Sequence, residues 1–169
     1  MMTFRANSVN RRAVIASAGA AAVVAALPGM AIALTNTQAR ELVDRLIADI
    51  NGIINSGKSE TAMYVDFELL FSKYAFVKGI ARSVLGPPAR SASASDMAAF
   101  TATFQGYISR KYGRRFREFI GGKIIVNGSK PLKSFYEVKT TAVLAGMAPF
   151  DVTFMVSDVS GKDLFFDML

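Results

Sequence analysis

Between residues 36 and 119 apolar side chains recur at spacings of three and four; beyond Gly121-Gly122 they recur at every second position. The first period is that of a helix with one buried stripe, the second that of a half-buried strand. The stretch "TNTQARELVDRLIADINGIINSG" predicts a first helix with Leu42, Val43, Leu46, Ile47, Ile50, Ile53 and Ile54 inward, capped by Asn36 or Thr37 and ended by Ser56-Gly57. "SETAMYVDFELLFSKY" predicts a second, with Met63, Phe67, Leu70 and Phe71 inward. "FVKGIARSVLG" predicts a third, with Val77, Ile80, Ala81, Val84 and Leu85 on one face; Gly86 stops it and Pro87-Pro88 prevent its resumption. The longest, "DMAAFTATFQGYISRKYGRRFREFI", is capped by Ser95 or Asp96 and carries the stripe Met97, Phe100, Phe104, Tyr107, Ile108, Tyr112, Phe116 and Phe119.

The strand half opens with a short "KIIVNG" and a longer "SFYEVKTTAVLAG", in which Tyr136, Val138, Thr140, Ala142 and Leu144 share a side opposite Glu137, Lys139 and Thr141. In "APFDVTFMVSD" the alternation is almost faultless, Phe150, Val152, Phe154 and Val156 facing one way and Asp151, Thr153, Met155 and Ser157 the other. "LFFDML" begins a last strand after a turn at Gly161. Helices followed by strands joined by short turns predict an α+β fold: helices packed on one face of an antiparallel sheet of three to four strands. No internal repeat is present, and the low-complexity content is confined to "PPARSASAS".

The first 33 residues follow a different pattern. Arg11-Arg12 precede an uncharged run, "AVIASAGAAAVVAALPGM", and then "AIA", with small residues at Ala31 and Ala33. This is the layout of an export signal cut after Ala33. The run is too Ala-rich and too short to span a bilayer comfortably, a span needing about 20 apolar residues. Its modest hydrophobicity and paired arginines fit a twin-arginine signal, but a general secretory signal carrying two arginines, or an uncleaved amphiphilic anchor, fits the same letters. Removal of residues 1–33 leaves 136 of the 169, enough for one domain with a core, residues 34–169. Losing Arg5, Arg11 and Arg12 lowers the net charge from +7 to +4, mildly basic rather than typical of nucleic-acid binding. A location outside the cytoplasm follows from the signal.

Cysteine, histidine and tryptophan are absent from the chain. That removes disulfides, thiolate nucleophiles, Ser-His triads and the usual zinc and copper sites together, so no cofactor or metal is expected. The acids Asp66, Glu68, Asp151, Asp158, Asp163 and Asp167 are scattered, without paired-carboxylate or calcium-loop spacing. Gly79 and Gly86 precede a proline turn rather than a helix N-terminus and cannot form a phosphate loop. Many rings facing a sheet fit either a plain aromatic core or an apolar cavity, and the pattern does not choose between them. "SRKYGRRFREF" brings Arg110, Lys111, Arg114, Arg115 and Arg117 among aromatics. It fits a solvated basic face, or a contact for anionic head groups or an acidic partner, better than nucleic acid, because its rings belong to the inward stripe.

"YAFVKGIARSVLG" and, after a linker, "DMAAFTATFQGYISRKYGRRF" together resemble the periplasmic phospholipid-binding proteins of the MlaC/toluene-tolerance type, which include the hopanoid-associated HpnM proteins. The matching residues are Ile80-Ala81-Arg82 with Val84-Leu85-Gly86, then Phe100, Phe104, Tyr107-Ile108 and Tyr112; Asp167 in "LFFDML" stands where the family has its last-strand aspartate. Each motif is weak alone, but their order over the whole region after the signal is specific. The resemblance implies a carrier rather than an enzyme. Acyl tails would lie in an apolar cavity enclosed between a curved sheet and the helices, with the head group in solvent. The carrier would shuttle phospholipid or hopanoid between an outer-membrane lipoprotein complex and the lipid-binding ring of an inner-membrane ABC transporter, maintaining outer-membrane lipid asymmetry. It would act as a monomer, with no nucleic-acid partner. Under this resemblance the tail-lining set is Phe71, Ile80, Val84, Phe100, Phe104, Tyr107, Val138, Thr140, Val152, Phe154 and Phe166, and Arg110, Lys111, Arg114 and Arg115 serve head-group or partner contact.

The chain departs from the family twice. Pro87-Pro88 replace the aromatic that follows the "VLG" glycine, and the sequence stops at Leu169 where relatives continue into a C-terminal helical segment. A chain short in this way is expected to have a more open cavity and lower stability than a full-length relative. Two other readings of the residues stand beside the carrier. One is a small ketosteroid-isomerase-like α+β enzyme using Tyr107 or Asp167 as its acid or base. The other is a cavity-less interaction module docking through the basic helix.

Overall fold

Thr35, not Asn36 or Thr37, starts the first helix, α1 (Asn36–Ile54). Its hydroxyl accepts the Gln38 N–H at 3.2 Å while the Gln38 carboxamide oxygen accepts the Thr35 N–H at 2.9 Å, a reciprocal cap that satisfies two donors the helix leaves open. The computed structural model in which these contacts are seen describes residues 34–144 and 146–169, without the side chains of residues 116 and 117. The predicted export signal, residues 1–33, lies outside the described residues. From α1 the stripe Leu42, Val43, Leu46, Ile47, Ile50 and Ile54 is buried as its spacing requires.

Ser59 caps α2 (Glu60–Tyr74), which buries Met63, Phe67 and Tyr74. The α3 helix (Val77–Leu85) ends at Gly86 in a positive-φ conformation, and Pro87–Arg90 form a single 3-10 turn. Ser93, ahead of the predicted caps Ser95 and Asp96, accepts the Asp96 N–H at 3.1 Å and opens α4 (Ala94–Arg115). A second 3-10 turn, Phe116–Phe119, leads to the sheet.

Four strands, β1 (Lys123–Leu132), β2 (Phe135–Val143), β3 (Phe150–Ser157) and β4 (Leu164–Met168), form an antiparallel sheet in the order β1-β2-β3-β4. The α+β expectation and the upper strand count both hold. β1 runs four residues beyond "KIIVNG" through Pro131, which an edge strand tolerates because its outer side needs no ladder hydrogen bond. Opposite one another on the inner face stand Val138 and Phe154, Thr140 and Val152, Ala142 and Phe150. On the other face Asn127, Thr141 and Asp151 make a polar ladder: the Asn127 amide donates to Thr141 Oγ1 at 2.7 Å, and the Thr141 hydroxyl donates to Asp151 at 2.8 Å.

One expectation from the resemblance and one from periodicity are corrected. On β4 the inward ring is Phe165, buried between Phe71 (ring centroids 6.0 Å apart) and Phe154 (5.7 Å), whereas Phe166 packs edge-on against Phe135 at 5.3 Å. A bulge between Met155 and Val156 sets this register, and in a strand a shift of one exchanges faces. On α4 the buried residues are Gly106, Ser109 and Gly113, not the aromatic stripe; Tyr107 is 54% exposed. The helix packs on α2 and α3 rather than on the sheet, with Gly113 at its seam with α2. A Cβ on Gly113 would come within 2.6 Å of Tyr64 Cδ1, so only glycine permits this approach. α1, by contrast, lies on β1 and β2.

α1 and α2 are tied by a polar cluster at their outer edge. The Tyr74 hydroxyl and the Lys73 ammonium donate to Asp49 Oδ2 at 2.7 and 2.8 Å. The bonds from Lys73 first and Tyr74 second hold the Asp49 carboxyl below its ordinary range, while burial and the same carboxylate push the Tyr74 phenol up.

Two predictions follow from these contacts. A Cβ at Gly106 would meet only the mobile end of Arg110, at 3.2 Å. Gly106→Ala and Gly113→Ala gain the same helix propensity, so their difference isolates the seam: in urea denaturation Gly113→Ala is the less stable by about 1–3 kcal/mol, and equal stabilities would mean that the Tyr64 ring yields freely. Because the folded-state pKa of Asp49 is depressed, its contribution is present above the unfolded value near 3.9 and lost as pH falls through the folded value. Asp49→Asn therefore lowers stability at pH 7, by less than about 1 kcal/mol at so exposed a site. The deficit shrinks toward pH 3; a deficit constant over that range would show that Asp49 acts other than through its charge.

Candidate functional site

Because α1 covers the sheet at the β1 side and α4 stands off on α2, the inner face of β2 and β3 is not filled. A pocket of about 340 Å³ lies there. Thr140, Ala142, Val152, Phe154 and Phe165 make its floor. Leu46 and Ile50 of α1 and Phe67, Leu70 and Phe71 of α2 make one wall; Ile108, Ser109 and Tyr112 of α4 make another. Arg115, Glu118, Met147, Phe150 and Met168, all exposed, mark an open rim.

The walls are chemically quiet. Thr140, completely buried, donates its hydroxyl to the Val152 carbonyl at 2.8 Å, and Ser109 donates to the Gln105 carbonyl at 2.8 Å. Both donors are thus committed within the chain, and among the described residues no buried side-chain polar atom lacks a partner. Charge enters only at the rim, where Arg115 and Glu118 have no ion-pair partner among the described residues. Such a site offers a non-directional apolar surface inside and opposite charges at its edge.

Of the residues that the sequence assigns to tail contact, the pocket brings together Phe71, Thr140, Val152 and Phe154. Val138 is fully buried in the core, and Ile80 packs against that core. Phe100 and Phe104 stack on one another at 6.2 Å along α4, outside the pocket. Val84, 62% exposed, and Tyr107 face solvent, and Phe166 lies against Phe135. Among the basic residues Arg115 alone reaches the rim; Arg110, Lys111 and Arg114 are exposed beside it, with the Lys111 ammonium 5.9 Å from the ring centres of both Tyr107 and Tyr112. The two candidates for an enzymatic acid or base, Tyr107 and Asp167, are both outside the pocket. Leu46, Ile50, Leu70, Ile108, Tyr112 and Phe165 line it without having been singled out for it. All but Phe165 lie on predicted helical stripes, but period alone does not separate a core residue from one facing a void.

A family model described as the MlaC protein matches residues 40–169, nearly all of the described region. The chain belongs to the MlaC family. No curated protein matches it closely enough to count as a relative. Membership in the MlaC family confirms the resemblance drawn from "IARSVLG" and the motifs of α4, and it supports a periplasmic, phospholipid-binding role in lipid transport in general terms. The family is one of lipid carriers rather than enzymes. Among the described residues no helix is long and apolar enough to cross a membrane.

Proposed function

We propose that this MlaC-family chain carries phospholipid between outer-membrane and inner-membrane transporter complexes, holding acyl tail in the pocket between α4 and the sheet. The observation that supports this most is the pairing of apolar, hydrogen-bond-satisfied walls with charge confined to an open rim. Two acyl chains hold roughly 30 methylenes, each worth about 0.8 kcal/mol when withdrawn from water. Moved from bilayer to an apolar pocket they change surroundings little, so exchange is close to thermoneutral and direction comes from the partner complexes. A pocket of 340 Å³ is at the low end of the ~300–1,000 Å³ typical of drug-sized ligands. A two-chain lipid therefore loads only if α2 and α4 move farther from the sheet or the tails extend past the rim. Arg115 meets the head-group phosphate, and Arg110, Lys111 and Arg114 extend the same positive surface toward a partner.

The test is native mass spectrometry of the protein purified without detergent. A stoichiometric adduct that resolves into phospholipid or hopanoid on denaturation is expected; an apo mass from a folded sample would overturn the reading. Val152→Trp, which fills the pocket from its floor, reduces occupancy at least tenfold, whereas Val84→Trp on the exposed side of α3 leaves it unchanged. Equal loss in both would place the lipid elsewhere. Arg115→Gln loosens a phosphate-bearing lipid about fivefold and an uncharged diacylglycerol not at all; equal effects would remove Arg115 from head-group contact.

A further inference from the structure

Leu34 follows directly on the two small residues, Ala31 and Ala33, that mark the predicted cut. Its side chain is already in the core, 6% exposed and in the same buried cluster as Ala39 on the first turn of α1. Its backbone N–H donates to Asp158 Oδ2 at 3.0 Å, across 124 residues of chain, in a half-buried position. Asp158 sits in the turn between β3 and β4, and that turn is closed by the Gly161 N–H on the Asp158 carbonyl at 2.8 Å. Among the described residues its carboxylate has no cationic partner.

From this geometry we infer that Asp158 is the receptor for a new amino terminus made by cleavage of the Ala33–Leu34 bond. Hydrolysis of that peptide bond leaves the carboxylate on Ala33 and an α-ammonium on Leu34. The nitrogen that donates one neutral hydrogen bond to Asp158 then becomes a cation at the same place, and the contact becomes an ion pair. The cation needs this carboxylate, because Leu34 stands just before the positive end of α1 and an ammonium left there alone opposes the helix dipole. Asp158 thus couples processing to the fold. Once the leader is cut, the start of α1 is pinned to the β3–β4 turn more tightly than before, and the sheet and the helix that covers it are held together at their common end.

The full chain is expressed, the exported protein is recovered, and its intact mass and amino-terminal sequence are read. A chain beginning at Leu34 is expected; any other amino terminus overturns the inference. Thermal melts then compare wild type and Asp158→Asn, before and after selective acetylation of the α-amino group, which removes its charge. Acetylation lowers the wild-type Tm by several degrees, the size of a charge-assisted hydrogen bond at a half-buried site, and leaves Asp158→Asn nearly unmoved. An equal drop in both proteins, or none in wild type, would show that the carboxylate does not hold the terminus. Acetylated wild type carries the result even if Asp158→Asn folds poorly.

Discussion

The close approach of α4 to α2 at Gly113, where a Cβ would run into the Tyr64 ring, is the constraint on which the rest of the inner architecture depends. Helices meeting through small residues bring their backbones together, and the large side chains on either flank must then point elsewhere. Ile108, Tyr112 and Arg115, at spacings of four and three, turn over the sheet and edge the pocket; Phe100, Phe104, Tyr107 and Lys111 occupy the neighbouring flank and are half-buried or exposed. Were the aromatic stripe itself the seam, α4 would sit farther from α2. The space above β2 and β3 would then be filled by rings.

What remains open is matched by how polarity is distributed around it. The two buried hydroxyls that face the pocket, those of Thr140 and Ser109, are both spent on carbonyls of their own neighbourhood, and the Tyr112 phenol belongs to a side chain that reaches solvent. A buried donor left free would demand a specific acceptor from any ligand. With none left free, the walls accept hydrocarbon of any sequence of methylenes, and whatever discrimination exists belongs to the charged rim. Absence of His and Cys from the chain accords with a site that asks for shape and apolarity rather than for proton transfer or nucleophilic attack.

The sheet's exposed edges are handled differently at its two ends. β4 is covered where the Phe76 N–H donates to the Phe165 carbonyl at 2.7 Å, tying the α2–α3 junction to the strand; its pairing with β3 continues through Leu169, which exchanges both backbone bonds with Thr153 at 2.8 and 3.0 Å. Among the described residues no strand pairs with the outer side of β1, which carries Lys123, Lys130 and Pro131 and a bulge after Val126, features that discourage a further strand from adding on. The covered edge adjoins the pocket through Phe165 and Met168, so a rearrangement of the α2–α3 junction would be felt at the pocket's floor.

Periodicity alone determined the helices, the switch to strands after Gly121-Gly122, the inward face of β3 and the burial of α1. Each depends on side-chain spacing within one element, and one buried face suffices to express it. The order of weak motifs along the chain was enough to indicate the MlaC family. Tertiary structure decided the rest. Whether Gly113 is a flaw in a helix or a contact point depends on Tyr64, some fifty residues away. Whether Phe165 or Phe166 faces inward depends on a bulge whose cause lies in the pairing of two strands rather than in either alone. Which apolar residues meet a void and which meet one another, as Leu70 and Val138 do respectively, follows from how far the layers stand apart. No single element encodes that distance, because it is set by the side chains of α4 and α2 acting on each other.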